Sequence, residues 1–228
     1  MNITRAALTL ATLLPCHAWP APTTSPNPAM LVPGTYRTVE TIRGDLNKDG
    51  HEDVVLLVKA TDQKMVVTGD DGKPLDRNRR GLIIAFKKGP SYDVVLSNLQ
   101  CFSSENEDGG VYFPPELEVR IDKGNFYIGY SHGRYGHWRY NFRYQNAGFE
   151  LIGYDSSSHH GPVVERALSV NILANKVVRR VNTNHAAQGG DERFKEIRST
   201  IQRPKTIRLG DIPDFDELSV ERTLGISP

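Results

Sequence analysis

Asp45-Leu46-Asn47-Lys48-Asp49-Gly50-His51-Glu52-Asp53 is the segment whose residue types and spacing speak most directly of chemistry. Calcium is a hard cation that takes six to eight oxygen ligands at about 2.3–2.6 Å. Asp45, Asn47 and Asp49 place side-chain oxygens at alternate positions of a tight loop, and Gly50 permits the left-handed turn that wraps the loop around an ion. The His51 carbonyl is the next oxygen in register, and Asp53 closes the shell from the start of the following strand. The His51 ring points away, because imidazole suits transition metals. The spacing is not that of an EF-hand, whose bidentate Glu at the twelfth loop position is here Leu56. The competing reading is a polar turn that uses Asp, Asn and Gly for turn propensity alone.

A second segment, Ser131-His132-Gly133-Arg134-Tyr135-Gly136-His137-Trp138-Arg139-Tyr140, reads as a hairpin tip rich in His, Arg and aromatic residues. His132, Arg134, Tyr135, His137, Trp138 and Arg139 are the candidate ligand-binding residues. Aromatic rings there could stack on a sugar or an exposed peptide, and the arginines could pair with a carboxylate or phosphate. The plainer account makes Trp138 and Tyr140 core, with the arginines as solvated rungs. Ser103–Gly110 is an acidic loop whose donors have no recognised register. His159-His160 follows Asp155 and three serines that read as an ordinary loop, and adjacent strand residues face opposite ways. G-x-S-x-G and H-E-x-x-H are both missing from the sequence, so no catalytic residue is assigned.

The run Gly44–Val55 resembles the FG-GAP calcium-binding loop of the integrin α-chain (VCBS) type. The resemblance implies Asp45, Asn47, Asp49, His51 by its carbonyl, and Asp53 as calcium ligands between two strands. It covers about a dozen residues and occurs once, so the loop carries over and the repeated blades of a propeller do not. The chain also resembles exported bacterial proteins with one such loop ahead of an aromatic β-meander, a likeness that implies no particular activity.

The elements that must position these residues are short strands. They are expected at Tyr36–Ile42, Asp53–Lys59, Gly81–Phe86, Tyr92–Leu99, Leu117–Ile121, Phe126–Tyr130, His137–Tyr144, Phe149–Tyr154 and Ser169–Val181, punctuated by Gly, Asn and Asp turns. Trp138, Tyr140, Phe142 and Tyr144 alternate with Arg139, Asn141 and Arg143, as on a strand with one buried face. Val54–Val58 and Leu82–Phe86 are unbroken apolar runs, as in strands covered on both sides. The fold class is mainly β, an antiparallel meander forming a sandwich or open barrel, with a less regular tail. Glu192–Ile201 reads either as a short helix or as a ribbon pairing back on Lys176–Val181.

Residues 1–18 read as a signal peptide, with Arg5 ahead of an apolar stretch and cleavage after Ala18. A flexible linker over 19–34, a β domain over 35–181 with its calcium loop at 45–53, and a C-terminal extension over 182–228 packing on that domain complete the organisation. Cys101, the one thiol left after cleavage, reads as buried and inert. Twenty-eight Lys and Arg against 27 Asp and Glu leave a charge of +1, which excludes the concentrated basic surface of a nucleic-acid binder. Mean hydropathy of −0.44 and no apolar run near 18 residues exclude a transmembrane segment. The reading is a periplasmic or secreted, calcium-stabilised β-rich binding or structural module whose partner is a protein or a cell-wall glycan. The alternative is a calcium-dependent periplasmic or secreted hydrolase.

Overall fold

The computed structural model describes residues 23–69, 71–104 and 115–227. The segment read as a signal, the linker's first residues and most of the acidic Ser103–Gly110 loop lie outside them. The described residues form two large antiparallel sheets and a small ribbon. The first sheet runs β1 (Thr24–Ser25), β7 (Ser91–Phe102), β6 (Arg80–Lys88), β3 (Asp53–Ala60) and β2 (Tyr36–Gly44) in spatial order. The second is a meander of seven neighbours: β8 (Glu116–Asp122), β9 (Asn125–Ser131), β10 (Gly136–Gln145), β11 (Gly148–His160), β12 (Val163–Asn171), β13 (Lys176–Asn182) and β14 (Phe194–Ser199). The ribbon pairs β4 (Val66–Thr68) with β5 (Pro74–Asp76). A mainly β, antiparallel sandwich is therefore the architecture, as the alternation in the sequence implies. No helix among the described residues is long and apolar enough to cross a membrane.

Side-chain parity explains the two kinds of strand. Val55, Leu57, Leu82 and Ile84 face the second sheet, where they join Phe126, Ile128, Tyr140, Phe142, Phe149 and Val170 in one core. Their neighbours Val54, Leu56, Val58 and Ile83 face the other way, into a smaller cluster capped by Leu31. The first sheet is thus covered on both faces, and its central strands have no polar side to alternate. Residues of the expected linker supply that cover. Thr24 and Ser25 pair with Asp93 and Tyr92 of β7, and Leu31 is fully buried at the end of a 3-10 turn.

Two boundaries differ from the sequence reading, and one open alternative is decided. Ser169–Val181 is not one strand: β12 turns into β13 at Ile172–Asn175, where Asn175 takes a left-handed conformation and Asn171 Oδ1 accepts from the Ala174 amide. That hairpin carries no Gly or Pro, so it reads as continuous strand. Strand β11 does not stop at Tyr154 but runs on through the three serines to His160, because each serine has a partner on β10 or β12. The stretch Glu192–Ile201 takes the ribbon alternative, with β14 paired to β13 and every β14 residue exposed.

The C-terminal stretch is part of the core. Ile201, Ile207, Leu209, Ile212, Phe215, Val220, Leu224 and Ile226 are all buried in the same cluster as the sheet residues. It is tied down at both backbone and side chain: Asn98 Nδ2 donates to the carbonyls of Leu209 and Ile212, and the Phe215 amide donates to the Cys101 carbonyl. Cys101 itself is buried with its thiol pushed up to about 12 by desolvation, an inert state.

Candidate functional site

The Asp45–Asp53 loop joins β2 to β3 and winds around its own side-chain oxygens. Asp45 Oδ1 and Oδ2 accept from the amides of Asp49 and Gly50 at 3.1 and 3.0 Å. Asn47 Oδ1 accepts from the Asp49 amide at 3.0 Å, and Asp49 Oδ1 from the His51 amide at 2.8 Å. The His51 amide first, and then Asn47 Nδ2, which donates to Asp49 Oδ2 at 2.9 Å, hold the Asp49 carboxyl below its ordinary value. The chain closes this tightly because Lys48 and Gly50 both adopt positive φ, 63° and 84°. The exposed His51 ring lies 3.1 Å from Asp49 Oδ1 by its Nδ1.

Asp53 does different work. It is fully buried, and its two oxygens accept from amides on either side: Leu46 at 2.8 Å within the loop and Lys87 at 2.9 Å at the end of β6. Burial raises its ionisation above the ordinary aspartate range, against the amides that favour the anion. Leu46, one residue into the loop, is 1% exposed and belongs to the inter-sheet core. The loop also lies against the other sheet. Gly44 backs onto Ile121 of β8, and a Cβ at Gly124 would come within 2.6 Å of Lys48 Cε and 3.3 Å of the Asp45 carbonyl. The five predicted residues therefore sit together at a seam between the sheets. Their donor types suit a hard cation. Among the described residues no three His, Cys, Asp or Glu side chains converge on one point. Calcium here would thus draw on the Asn47 amide oxygen and the His51 carbonyl as well as the carboxylates.

The hairpin-tip residues divide by parity. His132 stacks on Tyr135 at the tip itself, with centroids 4.9 Å apart, and Arg134 is exposed beside them. His137 and Arg139 lie on the outward face of the second sheet, where Arg139 pairs with Asp155 at 3.1 Å. Trp138 lies on the inward face and stacks on Tyr130, with centroids 5.3 Å apart and planes 18° apart. The six do not form one patch.

Trp138 instead lines a cavity of about 480 Å³ where the sandwich opens, with Tyr130, Tyr140, Tyr154 and Phe215 as its other aromatic walls. Arg80, Ser103, Ser104 and Asp216 give it a polar side. The Tyr130 hydroxyl is buried beside it, with no hydrogen-bond partner among the described residues. Desolvation pushes its ionisation far above the ordinary phenol range, so it stays an O–H donor. A buried polar group left unpaired costs about 1–3 kcal/mol. Of these residues Trp138, Tyr140 and the two serines fall in segments that stand out in the sequence, but the cavity itself does not, because it gathers side chains from β6, β9, β10, β11, the stretch after β7 and the tail. Comparison with known proteins returns no match: no family model, no curated protein and no solved structure aligns with the chain.

Proposed function

We propose that the chain is an exported, calcium-stabilised binding module, and that its ligand occupies the aromatic cavity. The observation that carries this reading is a cavity of ligand size walled by aromatic rings, beside which the Tyr130 hydroxyl is buried with no partner among the described residues. Five aromatic rings wall that space, with Arg80, Ser103, Ser104 and Asp216 beside them. Flat apolar rings beside Arg, Asp and Ser groups match the two sides of a sugar ring, whose C–H faces stack and whose hydroxyls both donate and accept. The ligand class is accordingly a polyhydroxylated ring such as a cell-wall saccharide. The calcium loop supports the same site from a distance. It abuts the turn before Asn125, whereas Tyr130 lies at the far end of the same strand β9, roughly 17 Å away at 3.3 Å per residue.

Replacing Tyr130 by Phe tests this with opposite expected signs. Removing the unpaired hydroxyl raises stability by about 1 kcal/mol, a rise of roughly 3 °C in melting midpoint for a chain of this size. The same change weakens binding of N-acetylhexosamine oligosaccharides about tenfold, read from Trp138 fluorescence. A Tyr130→Phe protein that melts below the wild type, or wild-type fluorescence that ignores every saccharide, would overturn the proposal.

A further inference from the structure

The outward face of the second sheet carries a separate constellation. Ser157 Oγ lies 2.9 Å from His137 Nδ1 and 2.8 Å from His159 Nε2. The two imidazole rings stand at 90° with centroids 5.8 Å apart. Strand pairing sets this arrangement. His137 is directly opposite Ser157 in the β10–β11 register, and His159 lies two residues further along β11 on the same face. Gly136 makes the close approach possible: its φ is 132°, and a Cβ there would stand 2.0 Å from the Ser157 carbonyl oxygen.

A hydroxyl donates one hydrogen, so Ser157 gives it to one imidazole and accepts an N–H from the other. Two imidazole nitrogens on rigid neighbouring strands thus aim at one point. A nucleophilic serine would need one base held by a third group. Here the nearby carboxylate is engaged elsewhere: Asp155 Oδ2 accepts from Arg139 and Oδ1 accepts from Ser169. Zinc binds imidazole nitrogen at about 2.0–2.1 Å, so drawing each nitrogen in by less than about 1 Å puts an ion where the serine oxygen now stands. The cationic neighbours do not oppose this, since Arg139 is matched by Asp155 and Arg180 by Glu196 at 3.4 Å.

We infer that His137 and His159 form a two-histidine site for a divalent transition ion, which displaces the Ser157 hydroxyl and has water completing its shell. The donors are nitrogen, so the site prefers zinc, nickel or copper over calcium and is independent of the Asp45–Asp53 loop.

The test is zinc titration of the full chain against a fluorescent chelator, compared with the double variant His137→Ala/His159→Ala. Any contribution of Cys16 and His17 is constant across that pair. Wild type is expected to hold one more equivalent than the double variant, and each single alanine to weaken it at least 20-fold. Ser157→Ala keeps the site, because it removes only the group an ion displaces, whereas Asp49→Ala leaves zinc binding unchanged. A measurement on the unaltered protein stands beside the variants: zinc should shift the ring resonances of His137 and His159 and leave those of His132 and His160 in place. Equal zinc uptake by wild type and double variant, or shifts confined to other histidines, would overturn the inference.

Discussion

Phe215→Ala is expected to destabilise the protein by about 4 kcal/mol, lowering its melting midpoint by roughly 10 °C. The residue lies in the tail, far in sequence from any strand, and its sequence neighbours are acidic. In the fold it is 2% exposed, with its ring against Phe102 at 5.1 Å, Tyr140 at 5.0 Å and Phe142 at 6.3 Å between centroids. Collapse into the hole is resisted because both flanks are anchored. On the N-terminal side Asp214 pairs with Arg79 at 2.7 Å and the Phe215 amide donates to the Cys101 carbonyl; on the other the Leu218 amide donates to the Phe215 carbonyl. The lost ring therefore leaves a cavity, and the cost lies well above that of transfer alone. Phe194→Ala is the control, since that ring is 43% exposed at the open edge of β14 and should shift stability by less than about 0.5 kcal/mol. Urea denaturation of the two variants side by side checks the difference. A loss under 1 kcal/mol at Phe215 would mean that the tail is docked on the sandwich rather than built into it.

The contrast between those phenylalanines shows what sequence patterning reveals and what it hides. Period-two alternation makes Trp138–Tyr144 legible as a half-buried strand, and the apolar run Val54–Val58 as a doubly covered one, because each pattern is local. The tail's apolar residues fall at irregular intervals, fixed by where gaps in the sheet core happen to lie, so no period announces them. The Asp45–Asp53 loop is legible for the same reason that the strands are: its oxygen-bearing residues are nearly contiguous. The cavity is not, since Arg80 and Phe215 are brought together by topology alone. Parity, applied more strictly, separates His137 from Trp138 and places His137 opposite whatever pairs with it. That the partner is Ser157 depends on β11 continuing through Ser156–Ser158, which are poor strand formers and look like a loop.

Calcium is expected to raise the melting midpoint by roughly 8 °C at about 100 times its dissociation constant, where binding to the folded state alone adds about 2.7 kcal/mol. Two variants separate the ion's contribution from the loop's own. Asp49 is solvent-accessible and bonds only within the loop, so Asp49→Ala should abolish the calcium response while changing the calcium-free midpoint little. Asp53→Ala should lower the calcium-free stability itself by about 3 kcal/mol, because it strips the acceptors from the Leu46 and Lys87 amides at once. The direction of the Asp53 shift adds a pH signature. A folded-state value raised above the unfolded one means that the folded chain holds the proton more firmly, so this group's contribution to stability declines as pH rises through the raised value. Calcium favours the ionised carboxylate and competes with that proton, so its stabilising effect should be larger at pH 7.5 than at pH 5. Magnesium, which demands a tighter octahedral shell, should give a smaller response. A midpoint indifferent to calcium at both pH values would leave the loop as a polar hairpin, held by its own Asx turns and by the buried carboxylate of Asp53.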